Sequence, residues 1–156
     1  MDITRLAIAG NLDPQGPPDH ENNVWIVGDD AEVIVIDPAH DPAAVRRAVG
    51  DRRVVAVLLS HGHWDHVRAA PAFAELTGVT PHLAPEDDFL WHQVNGDSPY
   101  RPIRDGQRFS VAGHSLVALR TPGHTPGSTS YWLETATTVF TGDTLFEGGP
   151  GATRWA

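Results

Sequence analysis

A layered α/β domain is the fold class this chain predicts, and three observations carry that prediction. The run Val54–Leu59 is apolar without alternation, as expected of a strand buried on both faces. Short β-branched runs bounded by turn residues recur on either side of it, with helical spacing between some of them. Its 156 residues amount to one domain, 1–156, because single cores commonly span roughly 100–200 residues. Val, Ile, Leu and Phe occupy 37 positions, about 24% of the chain, which exceeds the roughly 20% below which burial cannot offset ordering entropy. The 15 Gly and 13 Pro demand many tight turns.

Val24–Val27 and Glu32–Ile36 are separated by Gly28-Asp29-Asp30 and read as an antiparallel hairpin. Asp41-Pro42 supplies an N-cap acceptor followed by Pro at the first helical position. Val45, Ala48 and Val49 then fall on one helical face before Gly50 closes the helix. After the buried strand Val54–Leu59, the segment Arg68–Thr77 reads as a helix with Pro71 in its first turn and Gly78 as its stop. Further strand-like pieces lie at Thr80–Leu83, Leu116–Arg120, Ser128–Leu133 and Thr138–Phe140, with a polar, Pro-containing insertion from Pro85 to Gly106. No internal repeat or linker interrupts the series.

Acidic residues number 20 against 11 basic ones, all of them Arg, and the net charge of −9 repels phosphate backbones and anionic lipid. Neither nucleic acid nor a membrane is expected as a partner; a small-molecule substrate is. No stretch approaches ~18 consecutive apolar residues. Met1–Gly10 is unlike a basic-then-apolar signal peptide, so a cytoplasmic location is expected. With no Cys, thiolate ligands, disulfides and a cysteine nucleophile are excluded, and any metal must be held by His, Asp or Glu.

Three of the nine histidines fall in His61-Gly62-His63-Trp64-Asp65-His66, directly after the buried strand. An H-x-H-x-D-H string arises by chance in roughly three chains per thousand of this composition. The carboxyl ends of strands in α/β sheets are where ligands bind. A loop there can converge side chains that a straight strand would hold ~6.6–7 Å apart, whereas imidazole nitrogens must approach zinc to ~2.0–2.1 Å. Asp65 and His66 lie at the start of the next helix and suit a second, adjacent metal. Thr121-Pro122-Gly123-His124-Thr125-Pro126-Gly127-Ser128 holds one His in a rigid turn between strands. A catalytic zinc takes three protein ligands and keeps one position open, and His124 would be the third beside His61 and His63. After the last strand comes Thr141-Gly142-Asp143, where Gly lets the backbone approach closely and Asp143 could bridge two metals. The ordinary alternatives are a histidine-rich loop that caps a helix and an Asx turn at Asp143; the joint pattern argues against them.

These residues resemble the metallo-β-lactamase-fold hydrolases, and TPGHTPGS with FTGDTLF is especially similar to the glyoxalase II-like thioesterase branch. The similarity runs from about Asn23 to Gly149. It implies a four-layer αββα sandwich in which His61, His63 and His124 hold the first metal, Asp65 and His66 the second, and Asp143 bridges. Asp65 and Asp143 are then the candidate catalytic carboxylates, and Asp37 orients ligating imidazoles from behind. The implied cofactor is one or two zinc ions, or iron or manganese in their place. Relatives continue past the GDTLF segment and carry a later His for the second metal, whereas here the sequence reaches Trp155-Ala156 with none after His124. A sandwich lacking its last strand and helix would leave apolar sheet surface and an edge uncovered, so a homo-oligomer that covers this side is an expectation.

The chemistry implied is attack of a metal-activated water on an ester, thioester or lactam carbonyl. The absence of Cys and of a G-x-S-x-G elbow excludes the usual covalent routes. The resemblance extends to persulfide dioxygenases, in which His61, His124 and Asp143 would form a 2-His-1-carboxylate iron set. A non-catalytic metal-binding remnant is the third reading. Trp64, Trp91, His92, Tyr100 and Phe146 are candidate pocket residues; His20, His40, His82 and His114 fit surface or turn positions and receive no role.

Overall fold

Alternating polar and β-branched residues at the start of the chain produce an antiparallel meander of β1 (Asp2–Gly10), β2 (His20–Gly28) and β3 (Glu32–Ile36). The structure is a computed structural model that describes residues 1–153; Arg154, Trp155 and Ala156 lie outside the described residues. Asp29 shapes the β2–β3 turn by accepting from the backbone N–H groups of Ala31 and Glu32 at 2.8 and 2.9 Å. The expected hairpin is present. The strand β1 in front of it escaped the sequence reading, because as an edge strand it buries only Ile8 and Gly10 and shows little alternation.

Helix α1 (Pro42–Val49) starts as its sequence dictates, with the Asp41 carboxylate accepting from Ala44 N–H at 3.0 Å and Pro42 in the first turn. The apolar run forms β4 (Arg53–Leu58), parallel to β3. The helix expected over Arg68–Thr77 is α3 (Ala70–Thr77), with Pro71 in its first turn and Gly78 in the left-handed conformation at its end, and a one-turn helix α2 (Trp64–Val67) precedes it. The supposed insertion is not irregular. It contains helix α4 (Asp88–Asn95) and β6 (Arg101–Pro102), while the strand expected at Thr80–Leu83 is the shorter β5 (His82–Leu83). The first sheet therefore runs β1-β2-β3-β4-β5-β6, antiparallel on one side of β3 and parallel on the other.

A second, antiparallel sheet follows in the order β10-β9-β8-β7, from β7 (Arg108–Val111), β8 (His114–Arg120), β9 (Thr129–Leu133) and β10 (Thr138–Phe140). A short hairpin of β11 (Leu145–Phe146) and β12 (Gly149–Pro150) comes last.

Side-chain alternation in β3 assigns the layers. Ile34 and Ile36 face the second sheet and pack with Leu58, Leu116, Tyr131, Leu133 and Phe140. Val33 and Val35 face the other way and pack with Val57, Val45 and Val49 of α1 and Phe73 of α3. A strand that buries both faces reads as continuous apolar sequence, which is what EVIVI and VVAVL show. Three layers of the expected αββα sandwich, helix–sheet–sheet, are present among the described residues. On the outer face of the second sheet Trp132 and Val139 remain 38% and 46% exposed, and the clusters that include helical residues all lie against the first sheet. No helix of the described residues is long and apolar enough to cross a membrane.

Candidate metal centre

The loop that leaves β4 is held from three sides. Asp37, directly after β3, accepts from Ser60 N–H at 2.8 Å and from Ser60 Oγ at 2.6 Å. Thr129 N–H donates to Ser60 O at 2.8 Å, and Tyr131 Oη donates to Leu59 O at 2.6 Å, so β9 clamps the loop from the second sheet. Asp37 adopts φ of 53°, a left-handed conformation that Asp tolerates better than most residues. Gly142 has φ of 53°, and a Cβ there would lie 2.6 Å from Ser60 Cβ and Oγ; this is the close backbone approach that the Gly before Asp143 led us to expect.

Hydrogen bonds behind the imidazoles decide which nitrogen faces inward. The Ser60 hydroxyl donates its single proton to Asp37, so its lone pair accepts from His61 Nδ1–H at 2.9 Å. His66 Nδ1–H donates to Asp37 Oδ2 at 2.8 Å. His124 Nδ1–H donates to the carbonyl of Ala152 at 2.7 Å, and the chain beyond β12 is returned there by Gly151 N–H to Thr144 O at 3.1 Å. In all three rings Nε2 is the nitrogen turned toward the centre, the arrangement by which metal-site histidines are oriented.

The inward atoms are close together. His63 Nδ1 lies 3.1 Å from His124 Nε2, which lies 3.4 Å from Asp143 Oδ2. Asp143 Oδ2 is 3.7 Å from His61 Nε2, and its Oδ1 is 3.2 Å from His66 Nε2. Two donor sets result, His61–His63–His124 and His61–His66–Asp143, each with its atoms within 4.8 Å of one another. A divalent cation fits them: His61 Nε2 is buried with no hydrogen-bond partner, and nitrogen with carboxylate oxygen is the donor chemistry of zinc and iron. Burial and the charge of His66 hold the His61 pKa well below its ordinary 6.5. Burial would lower His66 too, but the carboxylates of Asp37 and Asp143 outweigh it and raise its pKa well above 6.5. Burial would raise Asp143, yet His66 and His124 outweigh it and keep the carboxylate ionised far below its usual range.

The structure thus brings five of the six sequence-derived donors to one centre. Asp65 stands at its margin, with Oδ2 at 3.5 Å from His66 Nε2 and held by Asn22 Nδ2–H at 3.0 Å. Two histidines that received no role adjoin it. His20 Nε2 is 3.4 Å from Asp65 Oδ2, and His40 Nε2–H donates to Asn22 Oδ1 at 2.8 Å. The pocket residues also need correction. A cavity of about 580 Å³ opens beside Asp65, His66 and Asp143, and of the five candidates only Phe146 lines it, together with Trp25, Leu12 and Ile3. Trp91 is fully buried against Tyr100, Trp64 lies under the Arg68 guanidinium, and His92 bonds the carbonyl that ends its own helix.

Sequence reading missed Asp87, which ties the two histidine loops together. Its fully buried carboxylate accepts from Gly62 N–H at 2.9 Å, Thr125 Oγ1 at 2.6 Å and Gly127 N–H at 2.7 Å. A Cβ at position 127 would meet that carboxylate at 2.6 Å, so Gly is required there.

Two face-to-face sheets with a histidine-rich loop at the end of a buried parallel strand define a metal-site α/β sandwich. The chain belongs to the metallo-beta-lactamase superfamily, whose sequence model matches residues 17–155. It is 32% identical over 139 residues to a hydroxyacylglutathione hydrolase of Cronobacter sakazakii, across 86% of this chain and 51% of that one. Among solved structures it is similar to TTHA1623 in a di-iron-bound form, with a TM-score of 0.76, 26% identity and coverage of 94% of this chain and 75% of that one. ETHE1 from Myxococcus xanthus matches with a TM-score of 0.70 and 29% identity, over 99% of this chain and 63% of that one. The hydroxyacylglutathione hydrolase and ETHE1 likenesses agree with a glyoxalase II-like branch.

Proposed function

We propose that this protein is a metal-dependent hydrolase of the thioesterase type, acting on an ester, thioester or similar carbonyl substrate. The observation that carries the reading is the convergence of four imidazoles and Asp143, three of the rings fixed with Nε2 inward. Its family and its hydroxyacylglutathione hydrolase relative support the reaction class. His61, His63 and His124 would hold one zinc, Asp65 and His66 a second, with Asp143 between them. When bound, such a cation acts as a Lewis acid that activates water and polarises the carbonyl.

What the chain's own residues contribute is orientation. Asp37 and Ser60 lock His61 and His66, the Ala152 carbonyl locks His124, and Asp87 fixes the distance between the two loops. The half-apolar cavity beside Asp143, walled by Trp25, Phe140 and Phe146, would seat the acyl portion of the substrate and keep bulk water from it. Asp143, ionised, would accept a proton or hydrogen bond from the attacking water.

His63→Ala and Asp143→Ala should each abolish turnover of a simple thioester with little change in circular dichroism. His114→Ala, half-buried at the first residue of β8 and bonded to Thr135, should leave it intact. Equal activity in all three variants would remove the assignment. A second reading, iron chemistry at His61, His124 and Asp143, is favoured by the di-iron-bound TTHA1623 and the ETHE1 likeness. Iron in protein purified from its native host, with oxygen consumed in the presence of a persulfide, would select it over the hydrolase.

A further inference from the structure

Two carboxylates in the wall of the cavity beside Asp143 belong to neither donor set. Alternation along β2 puts Glu21, Asn23 and Trp25 on one side of the strand, and all three line the cavity. Glu147, in the turn between β11 and β12, lines it from the hairpin. Both glutamates are exposed, so they stand where a ligand enters. The rest of that wall is apolar: the Trp25 and Phe140 rings lie 5.3 Å apart, and Phe140 and Ile36 are buried. The volume of about 580 Å³ is that of a small-molecule site. Positive charge is missing from it. The chain has no lysine, and among the described residues no arginine lines the cavity. Arg5 directs Nη1 to Asn23 Oδ1 at 3.3 Å, and the arginine ion pairs, Arg53–Glu32, Arg108–Glu134 and Arg120–Glu86, involve other carboxylates.

We infer that the substrate is an ester or thioester of an apolar acyl group whose alcohol or thiol part carries no carboxylate or phosphate, and that Glu21 and Glu147 impose the second condition. This rests on the hydrolase reading and adds a substrate class to it. A cation bound at the centre offsets the charge of Asp65 and Asp143, but those two glutamates keep theirs. An anionic group brought to roughly 4 Å from one exposed carboxylate in water loses about fivefold in binding. An apolar acyl group meets no such penalty, because aromatic and aliphatic walls take it out of water. The same field acts on the products. Water adds its oxygen to the acyl carbon, the carbon–sulfur or carbon–oxygen bond breaks, and the thiol or alcohol leaves with one proton. The acyl group thereby becomes a carboxylate, which the glutamates repel, so its release is favoured.

The test compares two phenylacetyl thioesters of similar reach on the zinc-loaded full chain, well below micromolar enzyme: that of N-acetylcysteamine, which is uncharged, and that of mercaptobutanoate, which is anionic. At low salt kcat/KM should favour the uncharged thioester about tenfold or more, and the gap should narrow in high salt. The double variant Glu21→Gln with Glu147→Gln should narrow it about fivefold, chiefly through KM for the anionic thioester. Glu75→Gln, which removes an exposed charge on α3, should leave the ratio unchanged. The corresponding thioethers, which have no carbonyl to hydrolyse, should bind in the same order by calorimetry. An anionic thioester hydrolysed as well as the uncharged one, or a ratio that the double variant does not move, overturns the inference and leaves the hydrolase reading standing. Loss of turnover of the anionic thioester alone in Arg5→Gln would also overturn it, by making that guanidinium an anion anchor. Failure to hydrolyse either thioester removes the hydrolase reading; the thioethers binding in the expected order would then uphold the charge selection, and equal binding would end it.

Discussion

Asp37 shows how much of the centre depends on residues that do not face it. Its carboxylate accepts from Ser60 twice and from His66 once, and through Ser60 it also sets the tautomer of His61. Asn at this position keeps the left-handed backbone but offers an N–H₂ where only acceptors fit. Asp37→Asn is expected to lower zinc affinity about 10- to 100-fold with the fold retained, as read by competition with a chelator. His40 gives a pH dependence. Burial and then the Arg68 guanidinium push its pKa down from 6.5 to about 4, so the folded protein resists a proton that the unfolded chain accepts. Its stability contribution is therefore present above pH 6.5 and lost as pH falls toward 4. His40→Gln should shrink the fall in urea midpoint of the metal-free protein between pH 7 and 4.5; an unchanged fall would refute this. Of these residues, His61, His63 and His66 were legible from sequence because they cluster within six positions of one loop, and His124 and Asp143 because each sits in a Gly-containing turn at a strand end. His20, Asn22 and His40 were not, since they stand singly outside those motifs and meet the centre's margin only through partners 18 or more residues away.

At the scale of elements, the segment from Pro85 to Asn95 is the least legible and among the most consequential. Helix α4 buries a single residue, Trp91, so its apolar signal is too weak to separate it from a polar loop between prolines. Yet the turn leading into it delivers Asp87 to both histidine loops. Asp87→Ala leaves the N–H groups of Gly62 and Gly127 buried without their acceptor, and a cost of about 3–5 kcal/mol is expected for such a broken buried network. Chemical denaturation would measure it, and zinc affinity should drop in parallel because the two loops lose their common tie. The sheet strands were easier to read. Burial on both faces of β3 and β4 makes them continuous apolar runs, whereas edge strand β1 and the four-residue β7 present no comparable pattern.

Across the whole molecule, the sheet edges β1 and β10, unpaired among the described residues, flank one mouth of the sandwich, and both contribute to the cavity there. Leu12, Val139, Leu145 and Phe146 are 46–66% exposed around it. Such a patch favours association, so the 156-residue chain is expected to self-associate at micromolar concentration, with Leu145→Ser and Phe146→Ser shifting it toward monomer; light scattering that shows a monomer throughout would count against this. The hairpin β11–β12 bears on how the centre comes into being. All six candidate donors are already synthesised when the ribosome passes Asp143, but the carbonyl that seats the last imidazole belongs to Ala152. A nascent chain clipped between those points carries every donor and still lacks the latch, so maturation of the centre waits for the hairpin to emerge and fold back.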